Sequence, residues 1–434
     1  MSYLEKENFS VRAEEIGFIL KEIEAFEEID SVCLDRFLQR CSHSRIVLLG
    51  ESTHGTSEFY RMRAKITQQL VKRCGFTHVA IEAGWSEVEA IDRTVRNAPL
   101  KNKSFTKMTR FGSWMWNNAE FSQFLDWMKN HNVSVAENHQ VGIYGLDLYG
   151  MGSSIDVILE HLQKFCPSVA AYVQKQYSGL FPWKENPTEY GRAVYEGRCQ
   201  PVFEQLKAAL QTVLQEQVGS EEEYFHLICN MKMVIAAEEY FRKIYKPTSA
   251  HWNVRERYLF ETLNTLVTGE IESGIFWERK KTPKIVVWAH NSHVGHAKVS
   301  SLMTGGLLSL GQLCKEKYQE GDVYAVGFGF YQGEITAAPY WGEPEQSIDV
   351  GISPEGGIET LLHETGARAC LLPLRLQDAP IARQIFLPSR LERGIGLCYD
   401  LSTGYQASFY PVCLAERFDE FVWFDKTGSL SLLV

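Results

Sequence analysis

Apolar positions change their spacing several times along the 434 residues. Ile16, Ile19, Leu20, Ile23 and Phe26 recur at helical intervals, which predicts a helix from Arg12 to Phe26, and a second short helix is expected over 31–41. The pattern then becomes continuous in Arg45-Ile46-Val47-Leu48-Leu49-Gly50, as in a strand buried on both faces. A helix over 57–74 should follow, with Gly75 as its stop. His78-Val79-Ala80-Ile81-Glu82 reads as a second buried strand, and 86–96 as the next helix. Further strands are expected at 141–147, 284–290 and 323–328, with 421–424 as a late one.

Strands alternating with helices imply βαβ units. The expected class is α/β, a three-layer core with a mainly parallel sheet flanked by helices. Residues 153–272 differ in kind: helical candidates cover 155–165, 202–217, 221–244 and 254–267, with no convincing strand. They predict an all-helical insertion, a lid or wall over the sheet edge, between a first core part (1–152) and a second (273–434). From about Gly321 onward short strands and loops mix.

A chain of this length exceeds the usual size of one hydrophobic core, in keeping with a core plus a large insertion. Hydrophobic residues at 45% and charged residues at 23% are ordinary for a globular protein. A net charge of -10 excludes a basic nucleic-acid surface. The charged start Met1-Ser2-Tyr3-Leu4-Glu5-Lys6 has the pattern of neither a signal peptide nor an anchor, and no apolar run is long enough to span a membrane. The ten cysteines are scattered without a C-x-x-C pair, which predicts reduced, mostly buried thiols and a cytoplasmic location.

The candidate chemistry collects where strands end. The first strand leads to Glu51 and His54, the second to Glu82, the third to Asp147, and the fourth to His290 with His293 beyond it. Ligands of open parallel sheets bind outside the carboxyl ends of the strands, so distant parts of the chain are expected to supply one rim. Histidine titrates near neutral pH and can take a proton from water and return it to a leaving group. Glu51 and Glu82 are candidates for orienting an imidazole or holding the attacking water. The turn Glu51-Ser52-Thr53-His54-Gly55 precedes a helix, where backbone N–H groups can stabilise an oxyanion, and Gly50 and Gly55 are expected to let it turn tightly. Glu58, Arg61 and Arg63 follow; the two arginines are two apart and cannot share a helix face, so one reaches the site and the other is solvated. Trp114, Met115 and Trp116, with Phe111, either line an apolar substrate pocket or pack beneath the insertion. No G-x-S-x-G elbow, P-loop or dinucleotide fingerprint is present.

Leu49-Gly50-Glu51-Ser52-Thr53-His54-Gly55, followed by Glu58-Phe59 and Arg63, resembles the signature of the erythromycin esterase family. Ile81-Glu82-Ala83-Gly84-Trp85, Tyr144-Gly145-Leu146-Asp147, Asn253-Val254-Arg255-Glu256-Arg257 and Trp288-Ala289-His290-Asn291-Ser292-His293-Val294 match in order, over about 40–330. The resemblance implies an α/β core with a helical insertion and hydrolysis of an ester or lactone by base-activated water, without a covalent intermediate. His54 corresponds to the general base, with Glu51, Glu82 and His290 as catalytic partners. Arg63, His293, Asp147, Trp114 and Trp116 are taken as substrate-binding. Macrolide-opening members carry Gly-Ala before this histidine where the chain has Ser52-Thr53. No cofactor is expected. The alternatives are a divalent-metal hydrolase with His54, His290, His293 and the carboxylates as ligands, or a binding protein without turnover. The expected partner is a small ester or lactone, with no nucleic acid and no membrane.

Overall fold

The computed structural model describes residues 3–96, 112–216, 218–246, 250–272, 275–276, 283–301, 305–403 and 405–433. Phe111 lies outside them. Its strands, in chain order, are β1 (Glu24–Phe26), β2 (Ile46–Leu49), β3 (His78–Gly84) and β4 (Gly142–Asp147). Next come β5 (Glu270–Glu272), β6 (Ile275–Phe276), β7 (Ile285–Trp288), β8 (Val323–Ala337) and β9 (Gln346–Asp349). The last are β10 (Ala369–Pro373), β11 (Arg390–Arg393), β12 (Phe409–Val412) and β13 (Glu420–Thr427).

The chain divides into two units, one of Met1–Phe76, Thr109–Asn130 and Val286–Val434, the other of Thr77–Met108 and His131–Ile285. In the first, strands run in the order β1-β10-β13-β8-β2-β7, and β9 pairs with β8. β2 and β13 both lie parallel to β8, and all four residues of β2 and of β7 are buried. That explains their unbroken apolar runs, since a strand covered on both faces needs no polar side. The fold is α/β, with its parallel centre where the pattern placed it.

The far edge is different. β10 pairs antiparallel with β13 and with β1, and β9 antiparallel with β8, so the sheet is mixed. β1 occupies the end of the segment expected to be helical: the first helix runs Tyr3–Glu22 and stops before it. Phe26 sits edge-on to the Phe424 ring at 5.9 Å, so a contact nearly 400 positions away overrides the local spacing. β8 extends well past 328, its second half serving β9.

In the second unit, β3 pairs parallel with β4. The helices Met151–Phe165, Phe203–Leu214, Glu221–Ile244 and Ala250–Thr268 occupy the segments whose periodicity predicted them. Ser220 and Glu223 form a reciprocal capping box that starts the longest. The β5–β6 hairpin is a correction, because no strand was expected before residue 272.

The helix Ser57–Cys74 ends at Gly75 in the left-handed conformation, φ 74°. Gly55 answers a different demand: a Cβ there would meet the Thr336 carbonyl oxygen at 1.8 Å. At Gly50 it would meet Asn291 Oδ1 at 2.1 Å. Neither has a positive φ, so close approach, not a tight turn, requires glycine at both. Gly75→Ala should cost about 1 kcal/mol, read by urea denaturation, because the site is open and only φ is strained. Gly55→Ala should cost several times more, since main chain must move.

Candidate functional site

Two hydrogen bonds carry the β2–β7 ladder beyond both strands: Ala289 N–H donates to Leu49 O at 3.2 Å, and Asn291 N–H to Glu51 O at 2.8 Å. On the other side Gly50 N–H donates to Val326 O of β8. Backbone pairing therefore sets the residues after β2 against those after β7. His54 and His290 end with ring centroids 5.0 Å apart.

Glu51 is fully buried, and its two oxygens face different partners. Oε1 accepts from His54 Nδ1 at 2.8 Å, and Oε2 lies 2.6 Å from Arg63 Nη2. Arg63, equally buried, is held between the rings of Tyr60 (4.4 Å) and Trp288 (4.8 Å), so its planar cation gains aromatic contact as well as a counter-charge. Arg61 is exposed, 3.9 Å from Asp30. Of the two arginines, Arg63 reaches the site.

His54 is 6% exposed, and Tyr60 Oη donates to its carbonyl. With Nδ1 donating to a carboxylate, its Nε2 carries the lone pair, and the ring makes no second hydrogen bond among the described residues. His290 is engaged on both nitrogens. Nδ1 accepts from Ser292 N–H at 3.2 Å and lies 2.9 Å from Ser292 Oγ, while Nε2 donates to Ile395 O at 3.2 Å. His293 is buried in the single turn Asn291–Val294.

The start of the helix Ser57–Cys74 is more occupied than expected for an oxyanion site. Ser57 N–H donates to Gly428 O, and Gly428 N–H returns to Glu58 Oε2 at 2.9 Å. Glu58 thus clamps a distant turn, and burial raises its pKa. Trp116 packs against Tyr60 and Phe121 at 6.0 and 4.9 Å, continuing the aromatic wall beside Arg63. Trp114 and Trp116 are buried, and neither indole N–H meets an acceptor among the described residues.

Glu82 and Asp147 belong to the second unit, where one residue joins them. Arg255, on the helix Ala250–Thr268, donates through Nε and Nη2 to the two Asp147 oxygens at 3.0 and 2.7 Å. Nη2 also reaches Glu82 Oε1 at 2.7 Å. The β3–β4 register slips between Ile81 and Gly84, and that bulge re-aims Glu82. Burial opposes the guanidinium charge, yet Asp147 and Glu82 hold its pKa above the usual range. Arg255 was noted in the sequence only within a matching segment. Nothing in its spacing named the carboxylates it would meet.

Behind the His54 site lies a group the sequence did not signal. Glu392 of β11 is buried, accepts from Asn291 Nδ2 at 3.0 Å and lies 3.3 Å from Arg417 Nε. Burial pushes its carboxyl up to about 7, opposed by Arg417 and reinforced by Glu359. Among the described residues, no three His, Cys, Asp or Glu side chains form a metal-ligand group.

The erythromycin esterase model matches residues 71–427. The chain belongs to the erythromycin esterase family. The matched span takes in Glu82, Asp147, Arg255, His290, His293 and Glu392 and begins after Glu51, His54 and Arg63. The family member is 21% identical over 426 residues to "Putative hydrolase YbfO" of Bacillus subtilis (strain 168), covering 90% of this chain and 85% of that one. Its fold is similar to that of a succinoglycan biosynthesis protein, with a TM-score of 0.77 at 20% identity over 98% of this chain and 99% of that one. A Bacillus cereus protein gives 0.79 at 15% identity, with the same coverage. A mutant of the erythromycin esterase EreC in its open conformation gives 0.62 at 15% identity, covering 92% of this family member and 96% of EreC.

Two predictions follow from the buried charges. Arg255→Leu should destabilise the family member by about 3–5 kcal/mol in urea, because two buried carboxylates lose their cation. Glu392 keeps its proton when folded until about pH 7, while an unfolded glutamate loses it at its ordinary value near 4.5. Between those values the unfolded chain binds fewer protons, so this group's contribution to stability falls as pH rises. Glu392→Gln should flatten that part of the stability–pH curve, read by denaturation at about pH 5 and about pH 7.5.

Proposed function

We propose that the chain is a hydrolase of esters or lactones in which His54 Nε2 takes a proton from water. The observation that carries this reading is the orientation of one imidazole: Nδ1 is tied to Glu51, and the ring makes no second hydrogen bond among the described residues. Water deprotonated by Nε2 attacks the carbonyl carbon. The tetrahedral intermediate then collapses, and the imidazolium returns the proton to the departing alkoxide. Glu51 keeps the tautomer and stabilises the imidazolium, and Arg63 lies against the other Glu51 oxygen and fixes the carboxylate in place. His290, with both nitrogens bonded to the protein, braces the His54 ring, while His293 and the wall of Trp114 and Trp116 border the substrate space. Glu82 and Asp147 pair through Arg255 within the second unit.

A metal route draws no support from these hydrogen bonds, since His290 has no ring nitrogen left for an ion. Residues 153–272 are assigned as a helical insertion, and the cytoplasm as the location. Whether the substrate is a macrolide is left to assay.

His54→Ala should lower kcat on an ester or lactone by two to four orders of magnitude, with the circular dichroism spectrum retained. Glu51→Gln should fall comparably, because the amide cannot hold the charged imidazolium. A panel of p-nitrophenyl esters, simple lactones and macrolactones would measure this, and a His54→Ala enzyme at wild-type rate would refute the role of His54.

A further inference from the structure

Asn291 stands between two histidines that drew attention from the sequence, yet its own bonds are the more extensive. Its side chain accepts from Phe328 N–H at 3.2 Å and donates to Phe328 O at 2.8 Å and Glu392 Oε1 at 3.0 Å. Its main-chain N–H donates to Glu51 O, and its carbonyl accepts from Arg417 Nη2 at 3.1 Å. One fully buried residue thus ties the end of β2 to the middle of β8 and to β11. The empty Cβ position of Gly50 gives Asn291 Oδ1 the room to do so.

The consequence is geometric. Asn291 follows His290 directly and holds the carbonyl of Glu51, the residue that orients His54. The separation of the two imidazoles therefore depends on how far Asn291 sits from β8 and β11. Phe328 holds it through main chain, and the remaining side-chain anchor is Glu392. We propose that Asn291 and Glu392 form a buried positioning couple that sets His54 against His290 for the chemical step. Neither is a catalytic residue, since neither touches the reacting atoms.

Glu392 suits this work in either protonation state, because an oxygen of the acid or of the carboxylate accepts from Asn291 Nδ2 equally well. Arg417 balances the charge when it is present, and its guanidinium lies over the Tyr410 and Phe418 rings. Glutamine preserves the acceptor and methionine removes it while filling similar volume. The inference rests on the hydrolase reading for its kinetic arm and on hydrogen exchange for the other.

The test compares Glu392→Gln with Glu392→Met in the full chain. Glu392→Met should lower kcat on the order of 10- to 100-fold with KM within about two-fold, as expected when reacting groups lose alignment. Amide exchange of a peptide spanning 289–294 should quicken in the same variant. Glu392→Gln should restore both toward wild type. If Glu392→Met does not fold, Glu392→Met/Arg417→Met removes both buried charges and is compared with Glu392→Gln/Arg417→Met, so that loss of the Arg417 bond to Asn291 O is common to both. Wild-type kcat or wild-type exchange in the methionine variant overturns the proposal, as does a glutamine variant damaged as much as the methionine one. If wild type hydrolyses no ester or lactone, the hydrolase reading fails while the exchange comparison still decides whether Glu392 holds Asn291.

Discussion

A carboxylate with no exposure to water has to be surrounded by the partners that water would have supplied, and Glu51 organises its unit for that reason. One oxygen faces an imidazole and the other a guanidinium. Arg63 must then be buried too, which requires the aromatic faces of Tyr60 and Trp288 on either side. Trp288 belongs to β7 and Tyr60 to the helix after β2, so satisfying a single charge draws together two elements far apart in sequence. The orientation of His54 follows from the same carboxylate.

Buried ions at strand ends recur. Asp147 and Glu82 share Arg255 in the second unit, and Glu392 meets Arg417 in the first. Such clusters add little net stability over well-packed apolar groups, but removing one member leaves an uncompensated charge. They make the geometry demanding: a carboxylate pinned by a two-toothed arginine has one place to be. That is useful where a small error in alignment is costly in rate.

The family relationship rests on a match over residues 71–427, while the likenesses to individual proteins hold at 15–21% identity over 85–99% of each chain. A shared scaffold at such divergence carries fold more firmly than substrate, because a scaffold hosts many chemistries. The substrate of this family member therefore does not follow from its sheet.

Continuous apolar runs at 46–49, 78–84, 142–147 and 285–288 could be read as buried strands without a structure, because burial on both faces leaves no polar alternation to confuse with a helix. Gly75 was legible as a helix stop for an equally local reason, its left-handed φ. Glu51, His54 and His290 were legible as polar residues following buried strands, and folding sets them together. What local pattern does not contain is the partner. β1 became a strand because Phe26 meets Phe424, Gly50 and Gly55 are glycine because Asn291 and Thr336 approach them, and Arg255 and Glu392 gained their roles from residues about 100 or more positions away. Spacing along a chain encodes which face is apolar; which charge answers which is decided only when folding removes water from both.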